Sequence, residues 1–300
     1  MGWQIRPLTK KSAMKRDEIR DKNWNRELLD KGYFIFQGLL NQDDIPVIKE
    51  RVRFIAEHAD IYERLGIGHV KEDQPNARNP LHRFYRLNSP AYHNETLWKK
   101  MISNPRTVGL VRSVLQDDFC VNAGGFFLKP PRHGSVTPWH QDSAAWNMPP
   151  APYDPNEPVM FDFWIAIDRA TKGNGCLQLI PFSQKLGRIA HQRQGNKLTE
   201  VDPRDHGYNP EQDAVACEME PGDILVWHQN ALHYSGPNRS DKQRIGLAGT
   251  FIAKRDVPWM RAIRPGNKYL DYLPVCENGH PLDLPKEFLI DEDQILAMAS

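Results

Sequence analysis

From Phe119 to Ala253 the chain is built of short apolar runs separated by Gly and Pro turns, and that texture restricts the fold more than any other feature. The runs are Phe119 to Lys129, Met160 to Asp168, Gly175 to Ile180, Ala214 to Glu218, Asp223 to Trp227 and Arg244 to Ala253. Each is of strand length and is bounded by turn residues. Gly173-Asn-Gly175 adds a hairpin-turn signal. Short strands of this kind fit an antiparallel sandwich or barrel. The expected architecture is therefore mostly β with flanking helices, arranged as a jelly roll.

The preceding residues read differently. Residues 1–23 are polar and irregular. Trp24 to Asp30 reads as a short helix stopped at Gly32, and Tyr33 to Phe36 as a compact strand. Asn41-Gln-Asp-Asp opens a helix to about His58, with Ile45, Ile48, Val52 and Ile55 on one face, and Thr96 to Leu115 is a second helical stretch. The pattern predicts one domain over residues 1–300. It comprises a mainly helical buttress at 24–118, a jelly-roll core at 119–255 and a C-terminal extension at 256–300. Three aperiodic polar stretches, Gly66 to Pro80, Asn147 to Pro158 and Gly187 to Asn209, are expected to be loops that close over a site at the open end of the barrel.

Lys and Arg number 39 against 38 Asp and Glu, a net charge of +1. That balance argues against a chain built as a whole for nucleic acid or an acidic membrane, and no apolar run reaches transmembrane length. The first residues lack the apolar stretch of a secretory signal. The four cysteines are far apart with no CxxC, so neither a zinc ribbon nor a disulfide scaffold is expected. The expected setting is the cytoplasm with reduced thiols, and the expected partner is a small-molecule substrate.

Thr137-Pro-Trp-His-Gln-Asp142 carries the first chemical signal. His140 and Asp142 are separated by one residue, so on an extended strand both side chains leave the same face. An imidazole and a carboxylate there make one edge of a metal site, although HxD also occurs by chance. His233 comes much later, in Trp227-His-Gln-Asn-Ala-Leu-His-Tyr-Ser-Gly-Pro-Asn238, and as a third ligand completes a facial triad. Two histidines and one carboxylate leave adjacent positions open on a non-haem Fe(II), as O2 activation requires. Arg244 stands 11 residues beyond His233 and opens an apolar strand. A guanidinium facing inward there needs an anion, and a dicarboxylate cosubstrate suits its bidentate fork.

The ordered set of HxD, a distal His followed by Tyr-Ser-Gly-Pro-Asn, and Arg244 resembles the phytanoyl-CoA dioxygenase family of Fe(II)/2-oxoglutarate oxygenases. Leu128-Lys-Pro-Pro131, Phe163 to Leu177, Leu179-Ile-Pro181 and the opening Gly32-Tyr-Phe-Ile-Phe36 carry the likeness across residues 24 to 255. The resemblance implies a double-stranded β-helix, cupin-like, behind an N-terminal helical layer. It implies Fe(II), 2-oxoglutarate and O2, with the iron on His140, Asp142 and His233 as the catalytic centre. It further implies Arg244 and Ser235 on the distal carboxylate of 2-oxoglutarate, and Lys129 as another cosubstrate contact. The implied reaction is hydroxylation of an unactivated C–H bond of a small metabolite, with succinate and CO2 as coproducts. Two rivals use the same fold differently: a cupin-like metal isomerase or hydrolase without O2 chemistry, and a non-catalytic binding module. The first leaves Arg244 and Ser235 unexplained, and the second is expected to show a broken triad.

Other polar residues have plainer readings. His228 competes with His233 for the distal position but lacks the Ser-Gly that follows and the spacing to Arg244. His133 is expected to face solvent in its turn. Asp162 and Asp168 read as structural caps or pairs, Trp139, Trp146 and Phe127 as core aromatics with pocket walls as the second choice, and Arg83 and Arg86 as surface charges, with reach to an anionic substrate as the alternative. Ser235 also fits plain turn chemistry, and Lys129 a solvated strand position.

Overall fold

The computed structural model describes residues 23–73, 78–88, 90–145, 160–191, 193–194, 197–198, 200–263 and 272–300. The irregular start expected before Asn23, the cover expected at Asn147 to Pro158, and Trp146 lie outside the described residues.

The first helix, α1 (Trp24–Lys31), starts at Asn23, whose side chain accepts from the Arg26 amide. It stops at Gly32, where the left-handed φ of +91 suits a residue without Cβ. In α2 (Asp44–Glu57) the predicted face of Ile45, Ile48, Val52 and Ile55 is buried, and α3 (Ala59–Arg64) follows directly. The single helix expected from Thr96 to Leu115 is instead broken. Asn94 caps a turn at Glu95–Leu97, Trp98–Ile102 widens to π geometry, and α4 (Pro105–Leu115) starts afresh. The cause is local. Pro105 has no N–H to bond the preceding turn, and Asn104 instead accepts from the amides of Arg106 and Thr107.

In chain order the strands that build the two main sheets are β1 (Tyr33–Phe36), β2 (His69–Lys71), β3 (Phe84–Leu87), β4 (Phe119–Lys129), β5 (Thr137–His140) and β6 (Met160–Ala166), then β7 (Leu177–Leu179), β8 (Val215–Ala216), β9 (Ile224–Trp227), β10 (His233–Ser235), β11 (Arg244–Ala253) and β12 (Leu273–Pro274). The larger sheet runs β1-β9-β6-β11-β4. Along the outer edge of β4, one half pairs with β3, which carries β2, and the other half pairs with β12. The smaller sheet runs β8-β7-β10-β5, and every pairing in both is antiparallel. Gly66 to Pro80 is thus not wholly loop, because residues 69–71 form β2, while 74–77 lie outside the described residues. Gly173-Asn-Gly175 is not a hairpin either. It lies in a 3-10 turn that leads from the large sheet into the small one, with Gly175 at φ +78.

Both faces of the large sheet are covered. In β6, Phe161, Phe163 and Ile165 join the main core with residues of α1, α2 and α4, while Trp164 and Ala166 point the other way and pack with Leu177 and Leu179 of the small sheet. All seven residues of β6 are buried, so apart from Asp162 its sequence is apolar throughout rather than alternating. The strands of this core also come from outside 119–255, through β1, β2 and β3 on one side and β12 on the other. The helix Glu292–Ala299 buries Ile295 in the main core, and Glu292 pairs with Arg51 and accepts from Asn94 at 3.1 Å.

Candidate active site

His233 of β10 lies directly across from His140 at the end of β5, and their ring centroids are 4.0 Å apart. Asp142 reaches them by a route the sequence did not show. β5 stops at His140, and Asp142 is the first residue of α5 (Asp142–Ala145) rather than a strand neighbour. Gln141 makes the turn. Its backbone N–H donates to His191 Nε2 at 2.9 Å, its side chain donates to the carbonyls of Gly187 and Asn230, and its Oε1 accepts from the Ile189 amide. The Gln141 amide is therefore not available to extend the β5 ladder. The Asp142 carboxylate ends 3.5 Å from His140 Nε2 and 3.4 Å from His233 Nε2.

One ligand atom from each of His140, Asp142 and His233 lies within 4.8 Å of the others. His228 is outside this cluster, and its Nδ1 accepts from the Asn230 amide. His140 Nδ1 faces the Pro138 carbonyl at 2.8 Å, and His233 Nδ1 faces the Ala231 carbonyl at 3.1 Å. Carbonyls only accept, so each Nδ1 carries the proton and each Nε2 turns a lone pair toward the centre. This donor set suits a divalent first-row metal, iron included. Burial alone would lower His140, but the hydrogen bond and charge of Asp142 outweigh it and raise its pKa. Burial, then the charge of His140, brings His233 down to about 4. Asp142 stays below the usual carboxylate range because the two imidazoles overcome its burial. Trp227 Nε1 donates to Asp142 Oδ2 at 3.0 Å and restrains the carboxylate.

Arg244, at the start of β11, is buried with 2% exposure. Its Nη1 donates to the Gly175 carbonyl at 2.6 Å, its guanidinium lies over the Trp164 ring at 4.7 Å, and its Nε has no partner. No carboxylate among the described residues pairs with it, and burial pulls its pKa down to about 10. A buried guanidinium without a counterion is a receptor for an anion. Gly246 makes the arrangement possible, because a Cβ there would overlap the Trp164 indole. Ser235 Oγ donates to the same Gly175 carbonyl at 3.0 Å. Arg244, Ser235, Trp164 and the three cluster residues line one cavity of about 120 Å³.

The profile of phytanoyl-CoA dioxygenase (PhyH) matches residues 28–246, a span containing all of these side chains. The chain belongs to the phytanoyl-CoA dioxygenase family. Its members are iron(II)- and 2-oxoglutarate-dependent oxygenases. Dioxygenase lolE1 of Epichloe uncinata is 26% identical over 170 residues, covering 54% of this chain and 57% of that protein. A phytanoyl-CoA dioxygenase of Arabidopsis thaliana is 27% identical over 180 residues, covering 60% and 58%. The chain thus spans a little over half the length of these two relatives. Among solved structures, EctD from S. alaskensis in its apoform aligns with a TM-score of 0.61 at 16% identity, over 81% of this chain and 80% of that one. EctD holding 2-oxoglutarate and 5-hydroxyectoine aligns at 0.59 and 15%, over 81% and 79%. At such identities the likeness establishes the fold, a cupin-like jelly roll of the kind the strand texture predicts.

Within this phytanoyl-CoA dioxygenase fold, Lys129 lines the same cavity as Arg244, and its ammonium is engaged with backbone rather than solvated. It is 2% exposed, opposite Arg244 in the sheet, and its Nζ donates to the carbonyls of Ser135, Ser235 and Gly236 at 2.7, 3.4 and 2.5 Å. An ammonium has three N–H groups, so all of them are engaged with backbone. Burial, then the charge of Arg244, pulls its pKa down to about 7. Lys129 ties β4 to the turn after His233 and to the loop before β5. Lys129→Met is expected to strand those carbonyls and lower stability to urea by about 1–3 kcal/mol. The apparent affinity for 2-oxoglutarate should fall less than in Arg244→Ala. A variant as stable as wild type but defective in cosubstrate binding would reverse this assignment.

The remaining sequence expectations divide. Asp168 is structural, accepting from the Ile245 amide at 2.9 Å and pairing with Lys49 at 2.5 Å. Arg83 donates to the Ala56 carbonyl, and Trp139 stacks on Tyr234 away from the cluster. His133 is half-buried beside Glu72 rather than solvent-facing, since Glu72 lies 3.4 Å from its Nε2. Asp162 is no cap, and Arg86 is no surface charge, because both line the cavity next to the cluster. Burial, then the charge of Asp142, raises Asp162 well above the usual carboxylate range. Gln141, Trp227, Trp164 and Asp162 were not singled out as functional from sequence. The one available signal was position: Gln141 lies between two candidate ligands, and Asp162 shares strand parity with Trp164.

Proposed function

We propose that this protein is an Fe(II)- and 2-oxoglutarate-dependent oxygenase that hydroxylates a C–H bond of a small molecule and releases succinate and CO2. His140, Asp142 and His233 would hold the iron, and Arg244, with Ser235 beside it, the distal carboxylate of 2-oxoglutarate. One observation carries this reading. A cluster of two histidines and a carboxylate shares a cavity with a buried guanidinium that has no carboxylate of its own. A metal isomerase or hydrolase has use for the cluster but not for the guanidinium, and a binding module has use for neither.

Iron bound at the cluster supplies O2 activation coupled to decarboxylation of 2-oxoglutarate. The chain's own work is positional. The Pro138 and Ala231 carbonyls fix the two imidazole orientations, Trp227 restrains the carboxylate, and Gln141 locks the turn between His140 and Asp142 to the segments at Gly187–Ile189 and Asn230. Trp164 and the Gly175 carbonyl hold the Arg244 fork in place. The four cysteines are all buried and free, which supports a reducing, cytoplasmic setting. No helix of the described residues is long and apolar enough to cross a membrane.

Protein loaded anaerobically with Fe(II) and 2-oxoglutarate is expected to form succinate and CO2 in equal amounts once O2 is admitted. Iron binding without any succinate would favour the isomerase or hydrolase reading. Absence of iron binding would favour the binding module.

A further inference from the structure

We infer that the substrate is a small hydroxylated acid, whose hydroxyl docks on Asp162 and whose anionic group docks on Arg86. This rests on the oxygenase reading for the reaction and adds the class of molecule it acts on. A second cavity, of about 760 Å³, adjoins the cluster. His140 and Asp142 line both cavities. Arg244 and Ser235 line only the smaller, whereas Asp162, Thr250 and Arg86 line only the larger. The cluster therefore has a cosubstrate side and a second, roomier side from which a C–H bond can approach.

The floor of the larger cavity is a polar row across four neighbouring strands. Trp227 pairs with Asp162, Asp162 with Thr250, and Thr250 with Asn122, so these side chains stand level on one face of the large sheet. Asp162 alternates with Phe161 and Phe163, which point into the helical core, and so shares the inward face with Trp164. It is 3% exposed. Its Oδ1 accepts from Thr250 Oγ1 at 2.5 Å, and its Oδ2 makes no hydrogen bond of normal geometry, its nearest charged neighbour being the Asp142 carboxylate. Leaving such an oxygen buried and unmatched is costly, and the other inward residues of β6 are apolar. A ligand hydroxyl removes that cost whether or not the carboxyl carries a proton, because an O–H group both donates and accepts. An alkyl group in the same place leaves the oxygen stranded.

Arg86, across from Phe127 in the β3–β4 pair, supplies the other contact. Its guanidinium lies over the Phe127 ring at 5.7 Å, and its Nε donates to Asn88 Oδ1 at 2.6 Å. No carboxylate among the described residues pairs with it, and burial lowers its pKa. Among the described residues no further hydrogen bond engages its fork, whose planar geometry suits a carboxylate or another oxyanion. Lys71 and Asp73 line the same cavity, so Arg86 is the buried cation on the side of the cavity that β3 and β4 form. Val70 and Val136, 39% and 49% exposed, add apolar wall for the carbon skeleton.

The test uses straight-chain ω-hydroxy carboxylates of graded length, set against the plain carboxylates and the α,ω-diols of the same lengths. Binding to the full chain is read by titration calorimetry without iron or 2-oxoglutarate. At the best-fitting length the hydroxy acid is expected to bind about tenfold more tightly than either control. Asp162→Leu should erase the advantage over the plain carboxylate, and Arg86→Leu the advantage over the diol. The wild-type comparison stands by itself should either variant fail to fold. Equal binding of the three classes, or no binding by any member, would overturn the inference. So would an advantage lost in Arg244→Ala but kept in Arg86→Leu, which would put the anion in the cosubstrate cavity. Protein that keeps the preference but forms no succinate would overturn only the oxygenase reading. Protein that forms succinate without the preference would overturn only this inference.

Discussion

His233→Ala and Asp142→Ala are each expected to lose tight Fe(II) binding and all measurable 2-oxoglutarate turnover. With one of three donors gone, the site keeps only two ligands and no longer matches the coordination an iron centre needs. The loss should be local. His233 and Asp142 lie at the edge of cores built by other residues, and neither belongs to a buried apolar cluster. Thermal melts of the metal-free variants should therefore stay close to wild type, while equilibrium dialysis shows the missing metal. His228→Ala is the control. Its imidazole accepts from the Asn230 amide and stands apart from the cluster, so that variant should retain iron. Wild-type metal content in His233→Ala, together with loss in His228→Ala, would overturn the assignment of the distal ligand.

Arg244→Ala should weaken the apparent affinity for 2-oxoglutarate by about 10- to 150-fold. A hydrogen bond to a charged group contributes roughly 1.5–3 kcal/mol, and that energy converts directly into this range. Iron binding should be unaffected, since Arg244 is bonded to Gly175 and stacked on Trp164 rather than on any cluster residue. Arg244→Lys should recover only part of the loss. An ammonium can place one charge near the carboxylate but cannot form the planar fork or lie flat against the Trp164 indole. An unchanged concentration dependence on 2-oxoglutarate in Arg244→Ala would end the proposed role of this residue.

Strand positions were open to prediction because they depend on local sequence. Phe119 to Lys129 and Arg244 to Ala253 have the bounds the texture implied, and Tyr33 to Phe36 likewise. The candidate chemistry was legible for the same reason: HxD, the distal His with its Ser-Gly, and Arg244 are short patterns, and the fold brings the first three together. What the sequence could not convey is the direction each buried side chain takes. Both faces of the large sheet are covered, so the alternation that marks an inside and an outside is erased, and Asp162 looked like a stray charge in an apolar strand. Its place beside Thr250 and near Asp142 follows from cross-strand register, which pairs residues far apart in the chain. Lys129 looked equally at home in solvent until the carbonyl of nearby Ser135 and those of the distant Ser235–Gly236 turn closed around its ammonium. The reach of Asp142 toward the histidines also came from tertiary structure, through the hydrogen bonds of Gln141 to segments distant in sequence. Local sequence determined which segments are strands and which residues have metal-ligand chemistry. Tertiary packing decided which face each residue serves, because long-range register and burial on both sides leave no local trace.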